Sequence, residues 1–162
     1  MVKACIGLGA NLGDAQATLR AALDALAQLP QTRLLAASRL YRTPAWGRQD
    51  QPDFINAAAL LETALPAPAL LEQLLATEQA FGRVRQAGQQ WGPRTLDLDL
   101  LLYGEQVVDL PQLKVPHPYL HERAFALLPL FDVAPDALIP GRGTVRDILG
   151  VMKTCDIAPI GG

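Results

Sequence analysis

Residues 91 to 102 read Trp-Gly-Pro-Arg-Thr-Leu-Asp-Leu-Asp-Leu-Leu-Leu, and the alternation of Leu with Asp predicts a β-strand from Thr95 to Tyr103. Side chains two residues apart leave a strand on the same face. We therefore expect Asp97 and Asp99 to point together, while the leucines that alternate with them face a core. Most Asp-x-Asp patterns on a strand mark only the hydrated face of a half-buried sheet, so the surroundings of the pair decide its interpretation.

Three arginines precede the two carboxylates: Arg83, Arg85 and Arg94. Mg²⁺ in proteins binds one or two carboxylates together with phosphate oxygens, and the guanidinium fork matches the geometry of phosphate. The combination of Asp97 and Asp99 with these cations favours a magnesium–polyphosphate site. Each arginine taken alone is more typical of an ordinary surface ion pair.

The composition excludes several classes of protein. The chain has 162 residues, half of them hydrophobic, and a formal net charge of −2. We expect residues 1 to 162 to form one domain with one core, and we expect the protein to be a monomer. The charge gives no reason to expect nucleic acid or an anionic membrane as a partner, and no segment approaches the roughly 18 apolar residues of a membrane span. Cys5 and Cys155 match no metal-binding or redox spacing, so we expect reduced thiols and a cytoplasmic protein.

Hydrophobic periodicity and the positions of Gly and Pro predict the order of elements. The predicted strands are Val2 to Leu8, Arg33 to Tyr41, Phe54 to Glu62, Thr95 to Tyr103 and a short one ending near Val108. The predicted helices run from about Asp14 to Leu29 and from Pro66 to Phe81. This β-α-β-β-α-β order predicts a ferredoxin-like α+β sandwich, with helices on one face of a largely antiparallel sheet. A C-terminal extension follows, with a Pro-rich loop from Leu110 through His117 and helices near Glu122 to Phe131 and Thr144 to Met152.

Several familiar motifs are absent or incomplete. The glycines around Gly9 are similar to a dinucleotide-binding fingerprint, but Leu12 occupies the position of its third glycine, and a tight strand-to-helix turn explains them equally well. The chain has no G-x-x-x-x-G-K-[ST] phosphate-binding loop and no Gly-x-Ser-x-Gly nucleophile elbow. His117 and His121 have a helical zinc spacing, but Pro118 breaks that geometry and no third ligand is evident.

Four segments together resemble a known enzyme family. They are Gly9-Ala-Asn-Leu-Gly13; Tyr41-Arg-Thr-Pro44 with Gln51-Pro-Asp-Phe-Ile-Asn-Ala57; Gly82-Arg-Val-Arg85 with Trp91 to Asp99; and Val115-Pro-His117 with Glu122-Arg-Ala-Phe125. In this order and spacing they are similar to the signature blocks of the 6-hydroxymethyl-7,8-dihydropterin pyrophosphokinases, from Cys5 to about Leu149. The resemblance implies the ferredoxin-like fold and a reaction of folate biosynthesis. In that reaction ATP gives its β,γ-diphosphate to the hydroxymethyl group of the pterin, and AMP leaves.

The resemblance also implies roles for individual residues. Asp97 and Asp99 would hold two Mg²⁺ ions against the phosphates of ATP, the co-substrate, and Arg83 and Arg94 would act with them in catalysis. The implied ATP contacts are Arg85, Trp91, Leu100, His117 and Arg123. The implied pterin contacts are Thr43, Pro44, Ala45, Trp46, Phe54, Asn56 and Phe125. From the residues alone, core packing is the preferred interpretation of the two phenylalanines.

Some residues depart from the family pattern, and two other functions remain open. Phe54 stands where Tyr is frequent, and glutamines at 86, 89 and 90 stand where Lys or Arg is frequent, which weakens the expected loop contacts to ATP. Glu78 either orients an arginine or lies at the surface. One alternative is a non-catalytic ferredoxin-like ligand-binding module, against which magnesium-dependent nucleotide binding would argue. The other is a different transferase that uses magnesium and ATP, against which the pterin-pocket residues argue.

Overall fold

The computed structural model describes residues 1–44, 53–82, 96–154 and 156–160. The main sheet consists of β1 (Val2–Ala10), β2 (Thr32–Ala37), β3 (Tyr41–Thr43), β4 (Phe54–Thr63), β5 (Asp97–Tyr103) and β10 (Ala158–Pro159). Two small hairpins pair β6 (Val108–Leu110) with β7 (Leu113–Val115) and β8 (Leu138–Ile139) with β9 (Gly143–Thr144). The helices are α1 (Ala15–Ala27), α2 (Ala67–Ala80), α3 (Ala124–Val133) and α4 (Val145–Leu149), and a 3₁₀ turn spans Leu120–Glu122. No helix within these described ranges is long and apolar enough to cross a membrane.

The sheet has the strand order β10-β3-β4-β1-β5, and β2 also pairs with β4. Every pairing between these strands is antiparallel. The two long strands, β1 and β4, lie side by side at the centre, and α1 and α2 each connect strands that are not neighbours in the sheet. This arrangement is the predicted ferredoxin-like fold, so the fold class is confirmed.

The single strand predicted from Arg33 to Tyr41 is wrong, because the chain forms two strands that pair with successive halves of β4. Ser38 lies between them. Its backbone N–H donates to the Ala58 carbonyl at 2.9 Å, and its hydroxyl accepts from the Ala58 N–H at 2.8 Å. The Ser38 hydroxyl therefore accepts a hydrogen bond that a backbone carbonyl accepts in a regular sheet, and the ladder of backbone hydrogen bonds is interrupted at this point.

The two faces of the sheet are covered by different helices. On one face, leucines of α1 and α2 form a buried cluster with the even-numbered residues of β1: Leu19, Leu26, Leu70, Leu74, Ala4, Ile6, Leu8 and Ala10. On the opposite face, α3 and α4 pack against Cys5, Ala58 and Leu101. The first two helices therefore share one face, as predicted, and the C-terminal extension covers part of the other.

The region after β5 differs from the prediction. The short strand expected to end near Val108 begins there instead, and the expected Pro-rich loop contains a second strand, β7. Leu110 pairs with Leu113, so Pro111 and Gln112 form a two-residue turn and the segment folds back as a hairpin. This hairpin lies near the edge strand β5, where it forms one wall of the cleft described next.

Candidate active site

A cleft of about 710 Å³ lies on the sheet face that α3 covers only in part, and it continues past the edge strand β5. All ten predicted site residues that the structure describes line it: Thr43, Pro44, Phe54, Asn56, Asp97, Asp99, Leu100, His117, Arg123 and Phe125. Six predicted site residues lie outside the described residues: Ala45, Trp46, Arg83, Arg85, Trp91 and Arg94. The fold thus brings residues from three strands, two loops and the start of α3 to one cavity.

The two carboxylates of β5 lie on the cleft side of the strand, as the alternation predicts. The alternating leucines are at most 5 % exposed, whereas Asp97 is half-buried and Asp99 is exposed. In the neighbouring strand, Gly9 lies opposite Asp97 and Gly7 lies opposite Asp99, so β1 adds no side chain beside either carboxylate. A Cβ atom on Gly9 would lie 3.1 Å from the side-chain oxygen of Asn56. A Cβ atom on Gly7 would lie 3.2 Å from a side-chain methyl of Leu101, so both glycines allow neighbouring side chains to approach the β1 backbone closely.

The sequence alone does not decide whether Glu78 of α2 orients an arginine or lies at the surface. Its side chain is buried, so the surface alternative is wrong, and its carboxylate Oε2 accepts the backbone N–H of Leu98 at 2.7 Å. Leu98 lies between the two aspartates, so this bond holds the strand segment that carries them. The signal was present in the sequence, because Glu78 follows Leu70 and Leu74 at intervals of four on the buried face of α2.

Asn56 lies at the centre of the sheet face, in one cross-strand row with Gly9 and Asp97. It is 9 % exposed, and its Nδ2 donates to the Thr43 hydroxyl at 3.1 Å. This bond fixes the rotation of a side-chain amide that has both a donor and an acceptor edge. A buried amide held in this way suits the recognition of a ligand with adjacent donors and acceptors.

Two phenylalanines line the same part of the cleft. Phe54 precedes Asn56 by two residues on β4, so both side chains lie on the same face, and Phe125 is the second residue of α3. Both rings are half-buried, and neither belongs to the two buried apolar clusters found among the described residues. Core packing, which the sequence alone favours, is therefore not their environment. Aromatic rings at a cleft wall can stack on a flat ligand.

Arg123 and His117 supply polar groups near Asp99. Arg123 immediately precedes α3, and its guanidinium carbon lies 5.8 Å from the centre of the Phe125 ring. Burial lowers the pKa of His117; the charge of Asp99 raises this pKa, and the charge of Arg123 lowers it. The net effect is a lowered pKa, so the imidazole is neutral at pH 7 and can donate one hydrogen bond and accept another.

The cleft has a second part beyond the edge of β5. Leu71 and Leu75 of α2 line it on one side, and Leu113 and Lys114 of the β6–β7 hairpin line it on the other, with Leu100 between them. Lys114 pairs with Asp109 on the neighbouring strand. The apolar walls suit a heterocyclic base, and the two aspartates lie between this part and the part that contains Asn56.

The side chains at this site fit a metal ion that takes some of its ligands from the protein and the others from a substrate. The described residues contain no group of three or more His, Cys, Asp or Glu side chains that could hold a metal ion. A zinc site of the usual kind needs three or four protein ligands. The described residues therefore give no support to a zinc site at His117 and His121. Mg²⁺ commonly takes one or two carboxylates and completes its shell with water and phosphate oxygens. Asp97 and Asp99 match that second pattern.

Comparison with known proteins gives one consistent family. The model of the family 7,8-dihydro-6-hydroxymethylpterin-pyrophosphokinase (HPPK) matches residues 5–135. A protein of Pseudomonas aeruginosa named 2-amino-4-hydroxy-6-hydroxymethyldihydropteridine pyrophosphokinase is 52% identical over 144 residues, 89% of this chain and 88% of that protein. Its namesake in Methylorubrum extorquens is 48% identical over 158 residues, 97% of this chain and 98% of the relative. The namesake in Haemophilus influenzae is 42% identical and covers 92% of each chain.

Solved structures support the fold. A crystal structure of wild-type Plasmodium falciparum HPPK-DHPS with pteroate aligns with a TM-score of 0.69 and 13% sequence identity. The alignment covers 92% of this chain and 44% of that one, so this chain spans less than half of the larger protein. At this identity the similarity shows the fold alone.

Proposed function

The chain belongs to the 7,8-dihydro-6-hydroxymethylpterin pyrophosphokinase family, and from this premise we propose how its own residues divide the work of the reaction. The enzyme transfers the pyrophosphoryl group of ATP to hydroxymethyldihydropterin in folate biosynthesis. The assignment of roles rests on one observation above all. Ten residues to which the family resemblance assigns a role line a single cleft, with the carboxylate pair between its two parts.

The reaction needs positioning and charge stabilisation more than covalent chemistry. The hydroxymethyl oxygen of the pterin forms a bond to the β-phosphorus of ATP, the bond from that phosphorus to the oxygen on the α-phosphate breaks, and AMP leaves. The hydroxyl proton is released. We propose direct transfer between the two substrates; the described lining contains no Ser or Cys that could form a covalent intermediate.

Asp97 and Asp99 hold two Mg²⁺ ions in this proposal. Both carboxylates face the cleft opposite glycines, and Glu78, the other acidic residue of the described lining, is engaged with the Leu98 N–H. When bound, the ions offset the negative charge of the phosphates and of the transition state. The aspartates orient the triphosphate across β5, so that its β-phosphorus points toward the pterin.

The pterin occupies the part of the cleft around Asn56. Phe54 and Phe125 stack on its faces, and the amide of Asn56, held by Thr43, binds its polar edge. Pro44 closes the wall beside Thr43, and the resemblance adds Ala45 and Trp46 to the same wall. The adenine of ATP occupies the part beyond β5, against Leu100 and the apolar residues of α2.

The remaining roles concern the phosphates. Arg123 and His117 line the cleft, and His117 is close enough to Asp99 and Arg123 to feel both charges. Neither side chain carries a negative charge, so both can contact the triphosphate. The family resemblance assigns the other cationic contacts to Arg83, Arg85 and Arg94, and a covering role to Trp91. We further propose that the chain acts as a single-domain monomer in the cytoplasm, without nucleic acid.

Release of AMP tests the function. Purified protein is incubated with ATP, Mg²⁺ and the hydroxymethyl dihydropterin, and AMP is quantified with the pterin omitted in one arm and the metal chelated in another. We expect AMP only when all three are present, in equimolar amount with the pyrophosphorylated pterin. Nucleotide binding without AMP in the complete mixture would indicate a binding module, and AMP release that does not need the pterin would indicate a different transferase.

A further inference from the structure

Three side chains meet where the chain passes from β2 to β3. The carboxylate of Asp132, in the last turn of α3, accepts four hydrogen bonds. The Tyr41 hydroxyl donates at 2.8 Å, the Arg39 backbone N–H at 3.1 Å, and the Arg39 guanidinium at 3.2 Å to each oxygen. The guanidinium also donates to the Tyr41 hydroxyl at 2.8 Å. We call Arg39, Tyr41 and Asp132 the α3 clamp.

The carboxylate of the α3 clamp is less exposed than that of any other ion pair among the described residues, whereas Arg39 itself is 56% exposed. The Asp132 side chain is 15% exposed, and Tyr41 is 2% exposed. Burial and the bond to Asp132 raise the pKa of Tyr41 to about 12, so the phenol remains a donor at neutral pH. Hydrogen bonds to a shielded carboxylate are stronger than exposed surface pairs. The clamp therefore joins α3 to the sheet by a directional contact.

The α3 clamp connects the two walls of the proposed pterin compartment. Tyr41 lies directly across from Asn56 and two residues before Thr43. Phe125 is seven residues before Asp132 on α3, about 10 Å along the helix at 1.5 Å per residue. The other contacts that hold α3 on the sheet are largely apolar, through residues such as Leu127. Apolar contacts are non-directional, so they do not by themselves fix how far the helix slides or rotates.

We propose that Asp132 is a positioning residue for the pterin compartment. Through Tyr41 and Arg39 it fixes α3 against β3, and so sets the distance between the Phe125 ring and the wall formed by Thr43 and Asn56. This inference rests on the proposed assignment of that compartment to the pterin. The adenine part of the cleft lies beyond β5, against α2 and the β6–β7 hairpin. Of the proposed ATP contacts among the described residues, Arg123 alone adjoins α3.

Steady-state kinetics on three variants test the proposal. Asp132→Asn keeps the side-chain volume and removes the charge, and Tyr41→Phe removes one hydroxyl. We expect the KM for the pterin to rise about tenfold in Asp132→Asn, the factor for roughly one lost hydrogen bond to a charged group. Tyr41→Phe should show a smaller rise. In both variants the KM for ATP should rise less than the KM for the pterin, because Arg123 is the one described ATP contact that adjoins α3. Asp136→Asn, which removes the exposed pair with Arg146 on the same extension, is the matched control and should change neither KM.

Melting temperature and calorimetric binding of the pterin accompany the kinetics. A lower melting temperature with unchanged KM and affinity for the pterin would mean that the α3 clamp only stabilises the fold. Equal losses of affinity for the pterin and for ATP would mean that the whole site is loosened. Either result overturns the proposal. If Asp132→Asn does not fold, Tyr41→Phe decides by the same criteria. Absence of activity in the wild-type protein would overturn the proposed function instead, and pterin binding would still decide the role of Asp132.

Discussion

Asp97 and Asp99 differ from the other acidic residues of the described chain because glycines face them across the sheet. We expect Asp97→Asn and Asp99→Asn each to lose about 3 to 5 kcal/mol of transition-state stabilisation, roughly two to four orders of magnitude in kcat/KM. The melting temperature should change little, because both side chains are accessible from the cleft. AMP release and a thermal melt measure the two effects, with Asp24→Asn on the exposed side of α1 as the control. Near wild-type turnover of either cleft variant would contradict the metal assignment.

Phe125 carries the second prediction at this scale. The ring is half-buried at the cleft and outside the described apolar clusters, so truncation should leave a stable protein with less surface for stacking. We expect Phe125→Ala to weaken pterin binding by about 1 to 3 kcal/mol, with little effect on ATP. Calorimetric titration with each substrate gives both affinities. Equal weakening for the two ligands would indicate that the ring only supports the packing of α3.

At the scale of elements, β5 depends on α2 for its position. Glu78 accepts the N–H of Leu98, which lies between the two aspartates. Glu78→Ala leaves that buried donor without this partner, and we expect a loss of at least about 1 to 3 kcal/mol in the free energy of unfolding. Affinity for ATP with Mg²⁺ should also fall, because the strand that carries the aspartates is less constrained. Denaturant unfolding and nucleotide titration measure the two losses, and Glu78→Gln, which keeps an acceptor, should recover part of each. Unchanged stability in Glu78→Ala would exclude this role.

The accuracy of the sequence prediction differs between elements for identifiable reasons. The Leu-Asp alternation was strong enough to predict both the strand and the faces of β5, because one face had to be buried. The sequence does not indicate the break at Ser38, because the break depends on a hydrogen bond to Ala58, twenty residues away. Sequence alone favours core packing for Phe125, because a sequence does not distinguish an aromatic ring in a core from one that lines a cleft. The sequence does not indicate the α3 clamp either, because its members come from positions 39, 41 and 132.

At the scale of the whole molecule, the sheet separates two apolar layers. One contains α1 and α2, and the other contains α3 and α4. The cleft lies on the second face, where the C-terminal extension supplies Arg123 and Phe125, and it continues past β5, where α2 and the β6–β7 hairpin line it. The site is therefore complete only when the extension is packed on the sheet. If the extension unfolded separately, activity would be lost before the ferredoxin-like core melted.

We expect the two layers to unfold together, because β1, β4 and β5 supply side chains to both. Leu74→Ala removes a fully buried side chain from the first layer, and Leu130→Ala removes one from the second. Each should lower the free energy of unfolding by about 2 to 5 kcal/mol, with one transition and an unchanged m-value. Fluorescence, circular dichroism and AMP release should give the same midpoint in urea. Leu35→Ala, at a side chain that is 39% exposed, is the control and should have little effect. An early loss of activity in Leu130→Ala alone, ahead of the change in circular dichroism, would show that the extension is a separate unit and would contradict the proposed single domain.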